Sequence, residues 1–299
     1  MTSRIIHENI MSNGISIRQN DESNITRLAA QRQLYRDAGG IEILNAVLTV
    51  IVPISFTIIQ DISGHGKTLA GIISLIMLGV SFVFDNKQKT KKVLAATIQQ
   101  EFDISVFAMD WDKRLYGERK NLNYEIADAS KRIMSNEKKK ASLKDWYRKE
   151  VDALPLEEGI TACQKINFDW DAGLRKRYRR LLIIILSLII GGQLVIGVAK
   201  AEPIQEFLLR IVAISSALKW IIKSIDGINN DLKRMESIER AVYSNEKKSM
   251  EDLAFIQKEI FENRKVVTKI PDWFYKIFKN NDEDRERRAL EISRGEITT

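Results

Sequence analysis

A single cysteine, Cys163, and two histidines, His7 and His65, are spread over 299 residues. One cysteine forms no internal disulfide and suits a reducing compartment. Two distant histidines leave no Cys/His cluster with ligand spacing, so neither a structural metal nor a cofactor is expected. No acid and base flank a nucleophile at recognisable spacing, and Cys163 has no histidine near it in sequence, which argues against an enzyme. No apolar run precedes Ile41, so no cleavable secretion signal is expected. Gly64-His65-Gly66-Lys67-Thr68 looks like the end of a phosphate-binding loop, but Asp61 occupies the position where that motif needs its first glycine. The two glycines more simply serve a tight turn. Asn24-Ile25-Thr26 matches a glycosylation sequon that has no meaning in a cytoplasmic segment.

What the chain does have is four apolar runs, Ile41–Ile59, Leu69–Phe84, Leu181–Ala199 and Phe207–Ile222, arranged as two hairpins about a hundred highly charged residues apart. At ~1.5 Å per residue the longer runs cover about 28 Å, close to the ~30 Å hydrocarbon core. The shorter runs cover about 24 Å and need flanking residues or local thinning to cross. Arg210 and Lys219 sit near the ends of the fourth run, where basic side chains can snorkel to the headgroups. The expectation is an all-α membrane protein with four transmembrane helices in two hairpins and a mainly helical cytoplasmic domain.

Basic residues set the orientation. Arg27, Arg32 and Arg36 precede the first run, Lys87, Lys89, Lys91 and Lys92 follow the second, and Arg175–Arg180 abuts the third. Under the positive-inside rule both termini and the central domain are cytoplasmic and the protein is multi-pass in its membrane. The net charge of +7 is then largely juxtamembrane, aimed at the bilayer rather than at DNA or RNA. The expected segments are residues 1–40 (a cytoplasmic segment with an amphipathic helix), 41–84 (hairpin 1), 85–180 (the cytoplasmic domain), 181–222 (hairpin 2) and 223–299 (cytoplasmic helices and tail).

Finer local expectations follow. The first twenty residues read as loosely ordered. Ile25–Arg36 is an amphipathic helix presenting Leu28, Ala29 and Tyr35 to the membrane or a neighbour, and Gly39-Gly40 marks a bend. Val93–Glu101 is helical, Ile104–Met109 a short strand or extended segment, Asn123–Met134 a helix and Asn136–Lys140 a solvated loop. Pro155 opens a helix that runs into the third apolar run. Ile225, Ile228, Leu232, Met235, Ile238 and Val242 form one apolar stripe suited to packing within or between subunits. The residues from Arg285 read as a charged, weakly ordered tail.

In the first run Glu42, Asn45, Thr49, Thr57 and Gln60 recur at helical spacing, with Pro53 between, all within an arc of roughly 120°. Polar groups in hydrocarbon require partners or water. This face either hydrogen-bonds to neighbouring helices or lines a water-filled path in a homo-oligomer. In the cytoplasmic part, Trp146, Tyr147, Arg148, Trp170 and Arg175 are candidate ligand contacts, because aromatics beside arginines suit stacking on a base and pairing with phosphate. The plainer reading makes those tryptophans core or membrane-interface residues.

Several strings together resemble the SMODS-associating four-transmembrane effectors of bacteria. They are Leu28-Ala29-Ala30-Gln31-Arg32-Gln33-Leu34-Tyr35, Phe102-Asp103 with Val106-Phe107 and Trp111, Trp146-Tyr147, Leu154-Pro155, Cys163-Gln164 with Asn167, Trp170-Asp171 and Leu174-Arg175, and Ile270–Tyr275. The resemblance implies an anti-phage effector answering a cyclic oligonucleotide or related nucleotide signal, encoded beside a nucleotide cyclase or polymerase. The implied output is disruption of the lipid bilayer of the bacterial inner membrane, with death or arrest of the infected cell. A membrane-anchored receptor or scaffold that relays the signal to a partner fits the same residues. The resemblance brings no ligand-site residues with it.

Overall fold

A computed structural model describes residues 12–48, 52, 55, 67–199, 201, 203–244, 247–268, 270–271 and 273–278. Every regular element among them is helical: α1 (Ile15–Gln19), α2 (Glu22–Ala46), α3 (Lys67–Phe107), α4 (Lys113–Tyr116), α5 (Arg119–Met134), α6 (Glu137–Ala141), a 3-10 turn (Lys149–Ala153), α7 (Leu156–Ala199), α8 (Ile204–Tyr243) and α9 (Met250–Val266). Residues 273–278 add a last short helix, α10. The all-α expectation holds.

The chain divides into two compact units. The first contains residues 1–37, 90–167 and 237–266, the second 38–89, 168–236 and 267–299. The division falls inside α2, α3, α7 and α8, each of which carries residues of both.

The first unit is organised around aromatic packing. Phe102 of α3 is fully buried, its ring 6.1 Å from the Tyr147 ring, and Phe107 lies 5.4 Å from the same tyrosine. Ile15, Leu28, Ile133, Ile160, Cys163 and Leu253 close the core from five other helices. Burying side chains of this size stabilises by about 1.5–3 kcal/mol each. A second cluster packs Ala30 and Leu34 of α2 on Ala95 and Ile98 of α3, with Leu122 and Ile126 of α5 beside them. Leu28 and Ala29 therefore meet neighbouring helices, and Tyr35 packs against the second cluster with its hydroxyl donating to Gln99 at 3.4 Å.

Four local expectations are corrected. Residues 12–20 are ordered, and residues 1–11 lie outside the described residues. Ile15 is buried, Asn13 Nδ2 donates to the Val151 and Leu154 carbonyls, and the Gln19 side chain makes both main-chain bonds of Tyr147. α2 runs unbroken through Gly39-Gly40, because two glycines cost only about 1 kcal/mol each in a helix held by packing. Ile104–Met109 is not extended: α3 continues to Phe107, since Ile98, Phe102 and Val106 recur at four-residue steps, and the turn comes at Ala108 with φ 54°. Asn136–Lys140 is not a loop, because Asn136 Oδ1 accepts from the Lys139 amide and caps α6. The helix opened by Pro155 does run without a break, from Leu156 to Ala199.

The second unit has its own core of Leu174, Tyr178, Leu182, Ile221, Ile228, Leu232 and Phe274. The apolar stripe of α8 is buried at Ile228, Leu232, Met235, Ile238 and Val242. Among the described residues one segment is long and apolar enough to cross a membrane: Asp171–Ala199, 29 residues. The other three apolar runs fall on the end of α2, on α3 and on α8, and part of the first lies outside the described residues.

Candidate functional site

The polar face of the first apolar run is described at two positions. Glu42 Oε2 accepts from Gln88 Nε2 at 2.9 Å, and Asn45 Nδ2 donates to Asp85 Oδ1 at 2.8 Å. Both bonds join α2 to α3 within the second unit. Thr49, Thr57 and Gln60 lie outside the described residues.

The first unit holds a buried polar cluster around Asp103, which is fully enclosed on α3. Its Oδ1 accepts the Tyr147 hydroxyl at 2.7 Å, and its Oδ2 accepts Gln257 Nε2 at 2.9 Å and a short charge-assisted bond from Arg264. Gln257 is held in turn by Gln100 at 3.0 Å and Gln164 at 3.1 Å. These residues share one interior because Gln100 and Asp103 lie one helical turn apart, as Gln257 and Arg264 lie two turns apart on α9. A carboxylate carried into the interior requires such donors. Next to it the Glu101 side chain, 3% exposed, accepts from Arg27 at 3.2 Å and has Arg119 at 3.8 Å. The Arg119 guanidinium also lies 5.2 Å over the Trp111 ring.

Electrostatics fix the protonation of this cluster. Burial, reinforced by Asp103, pushes the Tyr147 phenol well above its usual range, so it stays a neutral donor. Burial opposes the charge on Arg264, yet the Asp103 anion and Tyr147 outweigh it and the arginine is held more firmly protonated. Burial, then the nearby Asp103 charge, raises the Cys163 thiol far above the usual range and keeps it protonated. The cluster is thus built to hold helices in register, with neither a thiolate nor a free base in it.

The second unit has a comparable clasp. Arg175, with 5% of its side chain exposed, pairs with Asp231 at 2.9 Å and Asp171 at 3.0 Å. Its Nη1 also donates to the Thr268 carbonyl at 2.7 Å, while the Thr268 amide donates to Asp231 at 2.7 Å. Arg234 completes the pairing of Asp231. One short stretch of main chain is thereby tied to both α7 and α8. Gly227 makes the approach feasible, since a Cβ there would stand 2.6 Å from Thr268 Oγ1.

The five candidate ligand contacts are divided between the two units. Trp146 is half-buried, its ring edge-on to Phe102 at 6.4 Å, and Tyr147 is 2% exposed in the core. Arg148 precedes the 3-10 turn, where its carbonyl accepts from the Val151 amide at 3.3 Å. Arg175 is locked in the clasp, and the Trp170 side chain lies outside the described residues. Asp103, Gln257, Arg264 and Asp231 were not anticipated. The available signal was a lone acid inside an apolar helical stretch, Phe102–Phe107, which demands a buried partner elsewhere in the chain. Among the described residues no group of three or more His, Cys, Asp or Glu is placed to hold a metal ion.

Similarity to known proteins is consistent along the chain. The sequence model of the SMODS-associating 4TM effector domain matches residues 13–292. A protein of Bacillus cereus (strain VD146) named a probable CBASS effector molecule is 23% identical over 287 residues, covering 90% of this chain and 94% of that one. No solved structure matches the chain.

Proposed function

This chain belongs to the SMODS-associating 4TM effector family, and on that premise we propose that it permeabilises the inner membrane in response to a cyclic oligonucleotide made by a neighbouring synthetase during phage infection. The family assignment makes it an anti-phage effector with a membrane-associated domain. In this reading it is multi-pass, with four spans and both termini in the cytoplasm, and it acts as a homo-oligomer that binds its signal without transforming it.

The observation that carries the membrane part is the surface of α7. Its apolar stretch is almost entirely unburied, and Leu188, Val195 and Val198 are 67–81% exposed. A core helix of a water-soluble protein hides such a face, because each large apolar side chain left in water forgoes about 1.5–3 kcal/mol. Lipid is the medium that suits it. At ~1.5 Å per residue, Asp171–Ala199 extends about 43 Å, enough for the hydrocarbon core and both headgroup layers.

For the nucleotide to act, it must bind one arrangement of the first unit more tightly than another, since equal affinity shifts nothing. Helices that carry residues of both units supply continuous backbone for that change to travel along. The test is dye release from liposomes bearing the full-length protein, challenged with a panel of cyclic di- and trinucleotides. Release on nucleotide addition is expected, with loss of release in the Asn45→Leu/Thr49→Leu variant and retention of that variant in the membrane pellet. A second reading is favoured by the bonds from Glu42 to Gln88 and from Asn45 to Asp85, which act as glue between helices. It makes the chain a relay to a partner protein and predicts ligand binding without dye release.

A further inference from the structure

Immediately after the Thr268 clasp, Pro271 leads into α10, whose sequence Trp273-Phe274-Tyr275-Lys276-Ile277-Phe278 is unusually aromatic. The Phe274 and Tyr275 amides donate back to the Pro271 carbonyl, which starts the turn. One side of this helix is spoken for. Phe274 is 4% exposed, 5.0 Å from the Tyr178 ring and 5.0 Å from Phe278, and it belongs to the core that includes Leu174, Leu182 and Ile221. The exposed residues flank that buried face: Trp273 (55% exposed) and Ile277 (60%) lie within about 40° of each other on one flank, Tyr275 (37%) lies on the other, and Lys276 points away from the core. Trp220 and Ile222, flanking Ile221 of that same core, are 36% and 54% exposed.

We propose that α10 lies in the headgroup layer of the bilayer, with Trp273 and Ile277 at the boundary between headgroups and acyl chains, Tyr275 on the headgroup side and Lys276 toward anionic lipid. This rests on the reading that α7 crosses the membrane. Three observations commit the surface to lipid. The first is level: α10 packs on α7 at Tyr178, five residues before the outward apolar face begins at Ile183, which at ~1.5 Å per residue is about 8 Å. The headgroup region on each side of the hydrocarbon core is of similar depth, roughly 5–8 Å. The second is continuity: residues from Ile183 to Val198 on α7 form the exposed apolar surface that α10 adjoins through the shared core. The third is chemistry. Trp and Tyr collect where one end of the side chain is apolar and the other wet. The flanking cations Lys176, Arg177 and Lys276 complement an anionic leaflet, and the Arg177 guanidinium lies 4.8 Å over the Phe278 ring.

The consequence is that the segment after α9 is fastened twice, to α7 and α8 by the buried Arg175–Asp231–Thr268 clasp and to the membrane by the Trp273–Ile277 flank of α10. Residues 273–278 then belong to the membrane interface and not to a cytoplasmic tail.

The experiment places an environment-sensitive fluorophore on Ile277→Cys and, separately, on Val195→Cys, in the full-length protein reconstituted into phosphatidylethanolamine/phosphatidylglycerol vesicles. The buried native Cys163 is left in place, and the wild type gives the labelling background. Nitroxide lipids spin-labelled near the headgroup or deep in the acyl chain act as quenchers. The proposal expects the Ile277 label to be quenched more by the shallow nitroxide than by the deep one, and the Val195 label to show the reverse order. Deep quenching at Val195 with no lipid quenching at Ile277 overturns the proposal and leaves the membrane-spanning reading standing. No quenching at either position overturns both.

Discussion

Replacing Asp103 by Ala strikes the polar centre of the first unit. The carboxylate takes three bonds, from Tyr147, Gln257 and Arg264, and the Arg264 side chain opposite is only 14% exposed. Removing one member of a buried pair leaves the other charge uncompensated, which costs about 3–5 kcal/mol. The orphaned Tyr147 hydroxyl adds about 1–3 kcal/mol, with the two costs overlapping rather than summing. Against a typical total of ~5–15 kcal/mol, that is a large fraction of the stability. Asp103→Asn should also destabilise, because its amide oxygen can still accept from Gln257 and Arg264 but the buried Arg264 charge loses its counter-ion. Arg264→Leu paired with Asp103→Leu should recover much of the loss, since a closely packed apolar pair often replaces a buried ion pair without penalty. Denaturant titration of helical circular dichroism in detergent micelles, run as a double-mutant cycle, measures the coupling. A coupling below about 0.5 kcal/mol would refute the assignment of this cluster as the polar keystone of the unit.

Other outcomes follow from single contacts. Gly227→Ala sets a methyl against Thr268, whose main chain is tied on both sides; a cost of about 1–3 kcal/mol and faster proteolysis within residues 265–278 are expected. Cys163 should resist maleimide in the native protein and react on denaturation, its buried thiol being held protonated; rapid native labelling would contradict the packing around it. At the start of α9, the Ser249 hydroxyl and amide both donate to Asp252, the hydroxyl bond most of all lowering the carboxyl below its ordinary range. A lowered folded value means stability that is present above the unfolded carboxylate range and lost as pH falls through the folded value. Acid titration of wild type should therefore show a helicity loss below about pH 4 that is smaller in Asp252→Asn.

How much of this was legible depends on what each segment is packed against. Period and length sufficed for the helices and for the unbroken passage from Leu156 to Ala199, because a sustained apolar stripe dominates local preference. They misled at Ile104–Met109, where alternation and four-residue spacing coincide and burial of Val106 and Phe107 decides for helix. Gly39-Gly40 carried a strong local signal that packing overrode. Order at Asn13–Gln19 could not be read, since it comes from side chains bonding to a main chain more than a hundred residues away. For the same reason the partners of Asp103 and Arg175 were invisible: a buried charge announces that it needs a counter-ion, but only the tertiary structure says which.

The most direct test is membrane potential in living cells, read with a voltage-sensitive dye while the neighbouring nucleotide synthetase is switched on. Depolarisation that precedes loss of viability, and that is absent without either protein, is the predicted result. Growth arrest with the potential intact would contradict the account and favour a relay to another protein.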